Sequence, residues 1–178
     1  GPICRLVGTL FGGVCLFAAA ARAQNATWIL NPGSTDFNTP SNWTPATVPS
    51  GTASFGASNI TSITFSAGTF VDTLQFNAGA PAYNFAVSNF FLDLSGIGIV
   101  NNSSNIPTFN ITGPNGIFFE NSSTAGNASF TVNQTSGGFL EFLNNSTAGN
   151  ATITANGSSG TGGLFCVGSS TAGNATIT

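Results

Sequence analysis

The sequence predicts an all-β protein, a right-handed parallel β-helix (β-solenoid) with coils of about 21–24 residues and an N-terminal cap. Three observations predict it. The first is a block that recurs as STAGNASF at Ser123–Phe130, STAGNATI at Ser146–Ile153 and STAGNATI at Ser170–Ile177, spaced 23 and then 24 residues apart. A unit that short cannot bury an apolar face alone and must stack on its neighbours. The second is composition: 41% of residues are hydrophobic and 17 are Phe, enough for a core, while only 4% are charged, against roughly 25% in an ordinary soluble domain. The third is texture. Short runs rich in Thr, Ile, Val and Phe alternate with Gly, Asn, Ser and Pro, which marks strands and turns rather than helices.

Residues 1–23 differ from the rest. Arg5 precedes an apolar run, Leu6 to Ala20, followed by Ala21-Arg22-Ala23. A basic start, an apolar middle and a small-x-small ending form a secretory signal peptide, with cleavage expected after Ala23. The run is shorter than the roughly 20 residues a membrane span needs. Cys15 does not complete a lipoprotein box, because Val14 stands where a small residue is required.

Residues 24–58 form the N-terminal cap. They hold both tryptophans (Trp28 and Trp43), Phe37, and Pro32, Pro40, Pro45 and Pro49. A solenoid needs such a cover over its terminal coil, whose backbone and apolar core are otherwise open.

Residues 59–178 are the solenoid repeats. Ile60, Ile63 and Phe65, then Phe70, Leu74 and Phe76, then Phe85 and Val87 fall in runs of strand length. The later coils align in columns. Ile117, Leu140 and Leu164 share one; Phe119, Phe142 and Cys166 share the next inward one. Ala128, Ala151 and Ala175 align, as do Phe130, Ile153 and Ile177, and these positions point inward. A weaker beat of Phe85, Phe109 and Phe130 extends the register upstream, and roughly five coils fit between Ile60 and Thr178. An antiparallel sandwich would not require near-identical columns at a fixed period.

The repeated polar residues fit architecture. Asn127, Asn150 and Asn174 follow a Gly at a tight corner, where Asn tolerates the left-handed conformation. Turned inward, they would form an amide ladder. Thr131, Thr154 and Thr178 are expected to point outward. Outward Thr rows bind ice in some solenoids, but only the triplets at 152–154 and 176–178 fit that pattern. The Asn-x-Ser/Thr triplets at Asn25, Asn59, Asn110, Asn127, Asn133, Asn150 and Asn174 arise from a composition rich in those residues. Phe118 and Phe165 share a column with Glu141 and are the candidate apolar contact surface.

Charge excludes several functions. Arg5 and Arg22 lie in the leader, so the mature chain keeps Asp36, Asp72, Asp93, Glu120 and Glu141 with no Lys, Arg or His. It cannot neutralise phosphates, which excludes nucleic acid, nor dock on anionic lipid by charge. No catalytic residue, cofactor site or metal site is expected. Without His or Lys the common general bases and Schiff-base nucleophiles are missing, and no Cys/His cluster exists for zinc. Glu120 and Glu141 fall in different columns and form no obvious acid pair. The Gly-rich stretch from Gly157 to Gly163 lacks the Lys of a phosphate loop. Cys166 reads as a small core residue. Carbohydrate-active β-helix enzymes and self-assembling matrix proteins are the alternatives, the first with its acids downstream of Thr178.

The head segment TWILNPGSTDFNTPSNWTPATVPSGTASFG (Thr27–Gly56), SITFSAGTFVDTLQFNAGA after it, and the STAGNATIT coils carry a resemblance. Together they resemble the passenger region of bacterial autotransporters, especially the large repeat-bearing passengers of Bradyrhizobium-like proteobacteria. That resemblance implies export across the inner membrane and a passenger displayed at the cell surface or released outside. It also implies a C-terminal β-barrel translocator beyond Thr178. It implies a role in adhesion toward a host or neighbouring-cell ligand and transfers no functional residue, because the matching motif is architectural. Self-association of the fragment through its open last coil is expected.

Overall fold

The computed structural model describes residues 23–157 and 162–178. The leader therefore lies outside the described residues apart from Ala23, as does the middle of the Gly157–Gly163 stretch. Fourteen strands follow in order: β1 (Ala26–Trp28), β2 (Trp43–Thr44), β3 (Thr52–Phe55), β4 (Ser62–Ile63), β5 (Thr69–Phe76), β6 (Asn84–Val87) and β7 (Leu92–Asn101). The second half comprises β8 (Thr108–Ile111), β9 (Gly116–Phe119), β10 (Ser129–Asn133), β11 (Phe139–Phe142), β12 (Thr152–Asn156), β13 (Gly163–Cys166) and β14 (Thr176–Ile177). They form two sheets, ordered β13-β11-β9-β7-β5-β3-β1-β2 and β14-β12-β10-β8-β6-β4. From β3 onward consecutive strands of the chain alternate between the two sheets, and each pairs in parallel with the strand one coil away. The result is a parallel β-solenoid of about six turns. Paired positions of parallel strands lie from 21 residues apart (Thr52 with Thr73) to 25 apart (Leu92 with Ile117) along the coils after the cap, and 27 apart where β1 meets β3 (Ala26 with Ala53).

The columns read from the sequence are the observed register. Leu140 pairs with Ile117 and Leu164, and Phe142 with Phe119 and Cys166. Phe130 pairs with Phe109 and Ile153, and Ile153 with Ile177. Buried Phe rings stack one above the other along these columns: Phe85 on Phe109 at 4.6 Å, Phe109 on Phe130 at 5.0 Å and Phe119 on Phe142 at 4.9 Å. Each such ring buries roughly 150–250 Å² of surface, so these stacks dominate the core. Cys166 holds an inward column yet is exposed, and so is Ile177; β13 and β14 are the end strands of the two sheets among the described residues.

The long sheet turns a corner. Thr69–Val71 pair with Leu92–Leu94, Thr73–Phe76 pair with Gly98–Asn101, and the register shifts between Val71 and Thr73. The second half of β5 stacks on β3, and the first half of β7 stacks on β9. In the later coils the side continuing from Gly98 shrinks to single bridges, Gly98–Thr124–Thr147–Thr171. The STAGNA block is what remains of that side. Its Ala125-Gly126-Asn127-Ala128 turn closes with Ala128 N–H donating to Ala125 O at 3.2 Å, and the turns at Ala148–Ala151 and Ala172–Ala175 close the same way.

The corner chemistry differs from the sequence expectation. The left-handed residues are Gly126, Gly149 and Gly173, at φ 63°, 62° and 57°, while the Asn after each is not left-handed. This is the type II′ pattern, with φ > 0 at the first central residue alone. A Cβ on Gly149 would also sit 2.9 Å from Gly126 O, so that position demands glycine twice over. Asn127, Asn150 and Asn174 are exposed. No inward amide ladder forms; one amide contact runs outside, with Asn174 Nδ2 donating to Asn150 Oδ1 at 3.4 Å. Asn does adopt the left-handed conformation one turn earlier, at Asn121 and Asn144.

At the N-terminal end the pattern changes to an aromatic cluster. β2 pairs antiparallel with β1. Trp28, Trp43 and Phe37 are buried, with Trp28–Trp43 and Phe37–Trp43 centroids 5.0 and 4.8 Å apart. Both indole N–H groups are satisfied, Trp28 Nε1 by Ile60 O and Trp43 Nε1 by Phe37 O. Asp36 knits the segment to the first coil, accepting from the Thr39 and Ser66 hydroxyls and from the Asn38 and Ser66 N–H groups.

Candidate functional site: an aromatic and acidic face

Strand alternation sends every second residue outward, so each side of the solenoid is a set of outward columns. One side is built from 69–71, 92–94, 116–119, 139–142 and 163–166, the strand segments that pair along the first half of the long sheet. Phe70, Asp93, Phe118, Glu141 and Phe165 form its central outward column. Two residues earlier in each coil stand Gly116, Phe139 and Gly163, and the same register carried back one residue sets Gly68 beside Phe91 and Phe91 beside Gly116. Two residues later stand Asp72, Ser95, Glu120, Leu143 and Val167. Ser95 Oγ donates to Asp72 Oδ1 at 3.1 Å, Glu120 N–H to Leu94 O at 2.9 Å, Leu143 N–H to Phe119 O at 2.8 Å, and Val167 N–H to Phe142 O at 2.9 Å.

The three columns together carry a regular pattern. Each coil places one Phe outward, and in four successive coils an acid follows it two residues later: Phe70-Val71-Asp72, Phe91-Leu92-Asp93, Phe118-Phe119-Glu120 and Phe139-Leu140-Glu141. The fifth, Phe165-Cys166-Val167, keeps the ring and drops the charge. From one coil to the next the pair shifts sideways by one outward position, so rings and carboxylates zigzag up the axis. Glycine makes room for the shift. A Cβ on Gly68 would lie 2.6 Å from the Phe91 ring, and one on Gly116 would lie 2.5 Å from the Phe139 ring.

The rings meet edge to face. Phe70–Phe91, Phe91–Phe118 and Phe118–Phe139 centroids are 5.0, 6.2 and 5.1 Å apart, at interplanar angles of 73°, 77° and 67°. This T-shaped packing contrasts with the parallel stacks inside the core. Phe70 and Phe165 are 63% and 42% exposed, and Phe91, Phe118 and Phe139 are half-buried.

Four of the five acids in residues 24–178 lie on this side, and only Asp36 lies elsewhere. The described residues contain no Lys, Arg or His, so none of these carboxylates has a basic side chain to pair with there. Asp93 is the extreme case. It is 9% exposed, with Phe70 and Phe118 as column neighbours, and its Oδ1 has no hydrogen-bond partner. Burial, with the nearby Glu120 charge adding to it, pushes its carboxyl up to about 6.

The chain matches no protein-family model, no curated protein and no solved structure.

The second sheet presents different chemistry. Its outward residues are Ser, Thr, Asn and Ala: Asn84 and Ala86, Thr108 and Asn110, Ser129 and Thr131, Thr152 and Thr154. Thr131 and Thr154 stand beside the buried Phe130 and Ile153, as the sequence indicates. The Thr row is broken by Asn110, Ala86 and Ser129, so the regular grid of an ice-binding face is absent from it. Inside the corner, Ser123, Ser146 and Ser170 align with hydroxyls that have no partner. Among the described residues there is no pocket and no group of three or more His, Cys, Asp or Glu placed to hold a metal ion.

Sequence reading reached Phe118 and Phe165 but not the surface they belong to. Phe70, Phe91 and Phe139 were missed, as was the placement of the acids on one side. The signal that finds them is the recurring Phe-x-acid triplet, read by outward parity rather than by column identity.

Proposed function

We propose that this chain is a non-enzymatic extracellular scaffold, the passenger segment of an autotransporter, in which the solenoid displays a recognition face to a surface outside the cell. The observation that carries this reading is the outward Phe-x-acid pattern on four successive coils of an otherwise uncharged stack. Outward rings and carboxylates without a basic partner on four successive coils do nothing for folding that Thr and Asn would not do more safely, as the opposite face demonstrates. The leader expected from the sequence and the resemblance of the head segment to autotransporter passengers support an extracellular location. An antibody against residues 116–143, applied to intact cells that make the protein, tests it. Labelling before permeabilisation is the expected result; labelling only after lysis would overturn it.

A second reading has one observation in its favour. An Asp whose carboxyl is raised to about 6, beside the carboxylate of Glu120, resembles the divided acid pair of a glycoside hydrolase. Release of reducing ends from a polysaccharide panel, abolished by Asp93→Asn, would favour that alternative over display.

A further inference from the structure

We propose that the Phe-x-acid face is a docking surface for an extended, Lys- or Arg-bearing protein segment lying along the solenoid axis. The inference deepens the display reading by naming the chemistry of the partner.

Three observations carry it. The face is anionic at each of four coils, and the described residues offer no cation to neutralise it. Its most central acid, Asp93, is 9% exposed with Oδ1 unpartnered. A desolvated carboxylate oxygen without a donor is unfavourable by about 1–3 kcal/mol or more, and an ammonium or guanidinium docked over the Asp93 column offsets that penalty through its charge. The third observation is the company the acids keep. Every carboxylate follows a Phe by two residues, so a cation pairing with an acid also comes within reach of an outward ring. Cation–π attraction adds roughly 0.5–2 kcal/mol to such a contact, and Arg exploits it best.

The spacing fits an extended segment. Coils repeat every ~4.8 Å and outward neighbours within a strand lie ~6.7 Å apart, so the four carboxylates alternate between two columns and span ~14 Å along the axis. An extended chain puts side chains on one face every ~6.7 Å, so three alternate cations cover ~13 Å, and long Lys or Arg stems reach either column. A partner with cations at alternate residues thus spans the run from Asp72 to Glu141. A neutral sugar chain would use the rings and leave Asp93 unpaired. A second copy of this chain would set acid against acid.

The test uses the full 178-residue chain and a synthetic peptide of alternating Lys and Thr about eight residues long, titrated by calorimetry. Cellohexaose and the matching Glu–Thr peptide are the control probes. The expected result is saturable binding of the Lys–Thr peptide alone, weakening steadily as salt is added. Asp93→Asn combined with Glu141→Gln should weaken it by about tenfold or more, with the far-ultraviolet spectrum unchanged. Adding Asn110→Asp and Thr154→Glu on the opposite face restores net charge and should not restore binding. Four results would overturn the proposal: no binding, binding indifferent to salt, rescue by the opposite-face acids, or cellohexaose bound equally by both proteins. If the double variant fails to fold, Glu141→Gln alone and the salt series on the natural sequence decide the matter. Because the assay is done in solution, its failure leaves the cell-surface labelling result unaffected.

Discussion

At the scale of the residue, two aspartates set opposite pH dependences. Asp93 holds its proton more tightly when folded than when unfolded, so the folded chain binds more protons between about pH 4 and 6. Its contribution to stability therefore falls as pH rises through that window, and the penalty is full above it. Asp93→Asn should stabilise the chain by about 1–2 kcal/mol at pH 7 and by almost nothing near pH 4, measured by urea unfolding. A variant less stable at pH 7 would contradict the burial argument. Asp36 behaves in the reverse sense. Burial raises its carboxyl, but hydrogen bonds from Thr39, Ser66 and Asn38 outweigh that and hold it below the ordinary value. Its contribution is present above about pH 4 and lost as pH falls further. Asp36→Ala should destabilise the chain by about 2 kcal/mol at pH 7, with the difference shrinking in acid.

At the scale of the element, the inward columns were legible because like residues stack on like at a fixed period, and Phe109 over Phe85 needed only counting. Phe109→Ala should lower stability by about 3–5 kcal/mol, since rings above and below cannot both close the void. The corners were legible only in part. The Gly-Asn order was plain, yet the left-handed residue is the glycine, and propensity alone could not choose between two residues that both tolerate that conformation. Gly149→Ala should cost more than about 1 kcal/mol in the same assay, whereas Asn150→Ala should cost less than that. Equal losses would return the corner to Asn. The outward face was illegible for a different reason. Its Phe-x-acid pairs slide by one outward position per coil, so aligning coils by identity set Phe118 against Glu141 and separated the acids that share one side.

At the scale of the whole molecule, the described residues form a stack with no basic side chain, in which charge acts only as repulsion. Adding salt up to about 0.5 M should therefore raise the melting temperature, because screening relieves like charges and breaks no ion pair within residues 23–178. A fall would point to an attractive pair involving the leader arginines. The fold class followed from the sequence because a solenoid is a one-dimensional repeat, each coil needing mainly its neighbour. The register of the outer face is the claim on which everything else depends. Cysteine cross-linking tests it most directly, in a chain whose Cys4, Cys15 and Cys166 are replaced by Ser. Phe118→Cys with Glu141→Cys places two thiols on paired positions of adjacent coils, within the Cα separation of about 4.4–6.8 Å that a disulfide spans. That pair should oxidise rapidly to an intramolecular bridge, while Phe118→Cys with Leu143→Cys, one outward position aside, should not. Equal cross-linking of both pairs, or of neither, would contradict the register of the Phe-x-acid face.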